Sequence, residues 1–228
     1  MVGVGGPDQI AAFVQKLVDA APEPPAEEAP ADPVQEAMQA AGALLAGFDF
    51  ESAVAAFQAI ADGSLDDAVA TAGMKPADKR EAASAARARG LLGVAAVLRE
   101  IPGREGEAAE AVATLRKKFA KQLELPGLAR EIASIELEMA ADASGDADFA
   151  ANLAADPADH ASRLALAHRL AADGAAAEAA EHALVLMRDA PAFEDGAAKA
   201  LLLNIFAANG DADFVADARK RFANLLYR

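Results

Sequence analysis

The sequence predicts an all-α protein, built as an array of short helical repeats. Three observations carry that prediction. Alanine makes up more than a quarter of the 228 residues and dominates the 54% apolar fraction, whereas aromatic residues reach only 5%, with no Trp and one Tyr. Alanine is the best helix former, and the β-branched and aromatic residues that favour strands are sparse. Glycine and proline recur at short intervals, at Gly47, Gly63, Gly73, Pro102-Gly103, Pro126-Gly127, Gly145, Pro157, Gly174, Pro191 and Gly210, cutting the chain into helix-sized pieces. Finally, the breaks Asp156-Pro157 and Ala190-Pro191 lie 34 residues apart, a helix-pair period.

The elements follow in order. MVGVGG has the composition of a strand end and tight turn. From Pro7 a helix is expected whose stripe is Ile10, Phe13, Val14, Leu17 and Val18. An isolated helix of that length is marginal in water and needs a partner for its apolar face. PEPPAEEAPADP then reads as an extended tether, since proline removes helix donors and Glu23, Glu27, Glu28 and Asp32 repel one another. The expected organisation is therefore a helix unit over 1–20, an acidic linker over 21–33 and a repeat domain over 34–228.

Helices are expected over 34–46, 50–62, 76–100, 104–123, 127–142, 146–155, 158–172, 175–189, 194–208 and 211–226. Residues 64–75 are ambiguous and could hold a short helix. In the C-terminal pair, Leu164, Leu166, Ala167 and Leu170 form one seam, and Ala179, Ala183, Leu184 and Leu186 the other. The early segment repeats the pattern, with Ala40, Ala41 and Leu44 facing Ala53, Phe57 and Ile60. Leu65 stands where a proline would close that early unit, and residues 76–125 fit the period poorly.

Charge excludes some functions. The net charge of −15 opposes binding to nucleic acid, whose phosphates would be repelled. It is distributed as −11 over residues 1–74, +5 over 75–130 and −9 over 131–228. Arg116, Lys117, Lys118 and Lys121 are the densest part of the basic island, read as a solvated helix face or an anion site, with Phe119 as its only aromatic. No apolar run approaches the roughly 20 residues of a membrane span, and no signal peptide is evident. A cytoplasmic protein with no membrane role is the expectation. With no cysteine there is no thiol or disulfide chemistry.

No constellation calls for catalysis, a cofactor or a metal. VGVGG lacks the lysine and the strand–loop–helix unit of a phosphate loop and reads as an ordinary turn. His160, His168 and His182 are the only histidines. The last two fall on neighbouring helices, with no third ligand at metal spacing. Asp66-Asp67 and Glu194-Asp195 are expected at helix starts, where a carboxylate caps free amides. The last helix stands out. RKRFANLLYR gathers Phe222, Leu225, Leu226 and Tyr227 at the terminus among basic residues. These four either close the final repeat or project as a partner anchor.

The order of parts resembles a known family. GxxxxxxIxxFVxxLV looks like the C-terminal helix of a thioredoxin fold, followed by an acidic proline tether and then divergent tetratricopeptide pairs. The ending from LAADPADHASRLALAHRL to FANLLYR resembles the YbbN/CnoX-type co-chaperones, the chaperedoxins. The likeness is most specific over 150–228, moderate over 34–65 and weak in the basic middle. It implies a tetratricopeptide-like array preceded by the last helix of a thioredoxin-like domain, most of which this sequence does not contain, whether trimmed or naturally short. The family's active-site cysteine region is absent. The resemblance also implies a holdase that binds partly unfolded client proteins and passes them to a GroEL-type chaperonin through the C-terminal helix. Leu225, Leu226 and Tyr227 match that family ending, and Arg228 departs from it. Without its sheet, the stripe over 10–18 is expected to pack on the repeats or mediate self-association. The rival reading is a non-enzymatic tetratricopeptide adaptor for one folded partner.

Overall fold

Pro33, assigned above to the linker, is the first residue of a helix, where its fixed φ and missing N–H cost nothing. The computed structural model describes residues 32–70, 73–210 and 213–227. The expected N-terminal helix with its stripe over 10–18, the VGVGG turn and nearly all of the tether lie outside the described residues. Among the described residues there are ten α-helices and no strand: α1 (Pro33–Ala46), α2 (Phe50–Ala61), α3 (Pro76–Arg99), α4 (Glu105–Lys118), α5 (Pro126–Ala143), α6 (Phe149–Ala155), α7 (His160–Ala172), α8 (Ala176–Asp189), α9 (Ala197–Asn209) and α10 (Asp213–Leu226). They belong to one unit, Pro33–Arg228. None is long and apolar enough to cross a membrane.

Local chemistry sets most of the starts. The amides of Ser52, Ala151 and Ser162 donate to the carboxylates of Asp49, Asp148 and Asp159 at 3.2, 3.0 and 3.0 Å, capping α2, α6 and α7. Asp148 and Asp159 therefore move two starts a few residues later than expected. The predicted caps behave differently. Asp66 lies in a run of turns after α2, where Arg87 Nε donates to its carboxylate at 3.0 Å. Glu194 and Asp195 adopt left-handed backbone angles just before α9, whose cap is Gly196 with no side-chain bond. The described part of 64–75 forms no helix; Leu65 instead packs half-buried against the core.

One helix ends earlier than expected. α4 stops at Lys118, and a 3-10 turn follows over Gln122–Glu124. Phe119 leaves helical geometry and packs against the neighbouring core, while Gln122 and Leu123 are buried behind it. Burial of Phe119 and Leu123 outweighs the helix preference of the flanking lysines and glutamate.

The apolar side chains form two clusters. The first joins α1–α4 with one face of α5 and includes Phe57, Leu92, Val97, Leu115 and Ile132. The second joins α7–α10 and includes Leu164, Leu186, Leu202, Ile205 and Phe222. α5 serves both. Leu128, Ile132 and Ile135 enter the first cluster, and Leu137 enters the second. It packs on α7 and also on α9, four helices further along the chain. The face that α7 and α9 share, one helix from each of the last two pairs, is thus covered by a helix of the same chain.

α3 and α2 approach closely because α3 presents glycine. A Cβ on Gly90 would lie 2.5 Å from the Ala61 nitrogen and 2.8 Å from the Phe57 oxygen, and one on Gly93 would collide with the Phe57 ring. Charged contacts fix the ends. Arg99 on α3 reaches Glu138 at 2.9 Å and Asp142 at 3.5 Å near the end of α5, so α3 and α5 run in the same sense. Lys121 reaches Glu81 at 3.1 Å, bringing the end of α4 beside the start of α3.

Candidate functional site

The last helix owes its placement to a simple spacing. Val215, Ala218 and Phe222 recur every three or four residues and are buried, with Phe214 and Leu225 half-buried against the same cluster. The Phe222 ring meets Phe206 of α9 edge-on, and the Arg219 guanidinium lies 5.5 Å from the Phe206 centroid. Arg221 grips the Glu181 carboxylate of α8 with both terminal nitrogens, one at 2.7 Å, holding that carboxyl below its usual range. Asp217 adds a weaker contact at 3.8 Å.

The four predicted residues therefore divide into two pairs. Phe222 closes the final repeat, and Leu225 packs along its edge. Leu226 is 44% exposed and Tyr227 is 90% exposed, so the apolar tip projects from a helix anchored by the other two. Beside this tip lies a cleft of about 230 Å³, lined by Leu184, Val185 and Arg188 of α8 with Arg221, Asn224 and Leu225. Val185 and Arg188 were missed from sequence, although they follow Leu184 at one and four residues, spacing that places Arg188 on the same helix face. Three of its lining residues are apolar, and the other three are Asn224 and the two arginines. Arg188 also bonds the neighbouring Asp189.

The other candidates resolve into packing roles. His160 meets Phe193 edge-on at 5.8 Å. His168 and His182 are half-buried, and burial lowers the pKa of both; the Arg163 charge pushes His182 the same way, against Glu178 and Glu181. Among the described residues no group of three His, Cys, Asp or Glu is placed to hold a metal ion. The basic island is split. Arg116 pairs with Glu136 at 2.6 Å and Lys121 with Glu81, whereas Lys117 and Lys118 stay exposed.

A tetratricopeptide repeat family model matches residues 139–227, from within α5 through α10. The chain therefore contains a tetratricopeptide-repeat region, a class of helix pairs that mediates protein–protein binding. No curated protein and no solved structure matches the chain.

Proposed function

We propose that this chain is a non-enzymatic co-chaperone that docks a GroEL-type chaperonin through the tip of α10. The observation that carries the docking site is the contrast along one helix. Phe222 is 9% exposed and fixes α10, while Tyr227, five residues later, is 90% exposed. Tyrosine presents a rigid apolar ring with a polar end, a side chain enriched at partner anchors. The cleft beside it supplies a second surface, where Leu184, Val185 and Leu225 offer apolar contact and the two arginines are already held by Glu181 and Asp189. The chaperonin as partner rests on the resemblance of the ending FANLLYR to the chaperedoxins, as does the capture of partly unfolded clients.

The experiment is a truncation after Leu225, mixed with a purified chaperonin. Loss of co-elution with unchanged melting supports docking by the tip. Co-elution equal to that of the full chain refutes it.

A specific observation favours the adaptor reading for the rest of the surface. Among the described residues the large exposed apolar side chains are Phe48, Met74, Leu125, Leu203, Leu226 and Tyr227, and most are scattered over separate elements. Capturing unfolded chains calls for a continuous apolar surface, and the shared face of α7 and α9 is covered by α5. Suppression of aggregation of a chemically unfolded substrate, without ATP, distinguishes the two. Protection beyond that given by an inert acidic protein supports the holdase, and equal protection supports the adaptor.

A further inference from the structure

We propose that the end of the molecule where α3 begins and α4 terminates is a second docking surface, for a short acidic polypeptide segment. Lys75, Lys79 and Arg80 sit at the N-cap and in the first turns of α3, and Lys117 and Lys118 in the last turn of α4. The Lys121–Glu81 contact at 3.1 Å brings these two helix ends together. Lys75, Arg80, Lys117 and Lys118 are exposed, and none of the five has a carboxylate partner among the described residues. Asp78, Glu81 and Glu124 lie at the same end and Asp62 shares a cleft with Lys118 and Arg87, and the balance stays positive in a chain whose net charge is −15.

This cluster does little for the fold. Cations at the end of α4 complement its dipole, but cations at the start of α3 oppose the partial positive charge of a helix N-terminus. Concentrating positive charge there raises the local potential without a stabilising return from the helix, and an anionic partner supplies that return. The patch also has apolar edges. Met74 is 38% exposed immediately before Lys75, and Leu125 is 46% exposed at the start of α5. Because α3 and α5 run in the same sense, both side chains stand at this end of the molecule. Charge rimmed by isolated large apolar groups fits an acidic segment carrying a leucine or phenylalanine.

The observations favour a short peptide over other polyanions. The described segments on either side of the basic one, 32–70 and 131–210, are both net acidic, so a long nucleic acid or an anionic membrane reaching past the patch meets repulsion. Phe119 is half-buried against the first cluster and lines a cleft with Lys118, and a single half-covered ring is a poor stacking platform for successive bases.

The test measures fluorescence anisotropy of a labelled peptide of eight glutamates and two leucines added to the full chain at low salt. Saturable binding is expected, weakening as salt rises. The double substitution K117E/K118E and, separately, K79E/R80E should each weaken it by about tenfold or more, with unchanged helicity and melting. A control of equal charge change elsewhere, K199E/K220E, should leave the affinity within about twofold. Absence of saturable binding, or equal loss with the control, overturns the proposal. Tighter binding of a single-stranded oligonucleotide or of phosphatidylserine vesicles overturns it as well, by assigning the patch to another class of partner.

Discussion

Phe222 of α10 meets Phe206 of α9 edge-on, with ring centroids 5.9 Å apart and ring planes at 71°. The pair spans the last two helices, and the residues around it explain why the C-terminus is both fixed and available. Substituting F222A should lower stability by about 3–5 kcal/mol, the range for emptying an aromatic core site. Removing only Leu226, Tyr227 and Arg228 should shift the melting temperature very little. Removing Leu225 as well should cost about 1–2 kcal/mol, because its side chain is half-buried against the core. Chemical denaturation of the three variants checks the order. A tail truncation as damaging as F222A would show that the tip is structural.

Gly93 and Gly42 should respond in opposite ways to the same substitution. A Cβ at Gly93 meets the Phe57 ring, which is itself locked in the first cluster. G93A should therefore destabilise by about 1–3 kcal/mol through overpacking. Gly42 lies inside α1 with nothing within 4 Å of its would-be Cβ. G42A should stabilise by about 0.5–1 kcal/mol through the lower entropy of the unfolded chain. Thermal melts of the two proteins read the sign directly.

Phe48 occupies a left-handed backbone conformation, with φ of 61°, in the turn between α1 and α2, and its side chain is 79% exposed. For a bulky L-residue that conformation costs roughly 1–2 kcal/mol, and glycine adopts it freely. The ring touches Phe50 edge-on but buries little. F48G should therefore raise the melting temperature despite losing an aromatic side chain. A drop would mean that the contact with Phe50 outweighs the backbone strain.

Stability should fall on acidification in two windows. Burial lowers the pKa of His168 and His182 below that of the unfolded chain, so the unfolded state takes up protons first. Their contribution is full above about pH 6.5 and is lost as pH falls through the lower native values. The paired carboxylates of Asp66, Glu107, Glu181 and Asp189 are also held below their usual range, by Arg87, Arg104, Arg221 and Arg188. Their contribution disappears at still lower pH, below about 4. Melting temperatures between about pH 7 and pH 5 should decline in the native chain and decline less in H168Q/H182Q. Equal slopes would remove the histidines from the account.

Much of this architecture was legible in the sequence because it depends on neighbours along the chain. Alanine content gave the class, and Gly174 and Pro191 punctuated the last helix pairs. Carboxylate caps are expected at Asp66-Asp67 and Glu194-Asp195, whereas the capping residues are Asp49, Asp148 and Asp159, each three residues from the amide it accepts from. The last helix is read from sequence only through Phe222, Leu225, Leu226 and Tyr227, and its inner face proves to run through Val215, Ala218 and Phe222 at three- and four-residue spacing. Tertiary structure alone decided the rest. It separated Phe222 from Tyr227, ended α4 at Phe119 to bury that ring, and drew Asp66 away from a helix start to Arg87, 21 residues on. It also gave α5 two partners, since a helix carrying Ile132 and Leu137 shows two apolar sides without showing what covers them. Caps and propensities act over about one turn and are written locally, whereas burial depends on which distant surface arrives, and no local pattern encodes that choice.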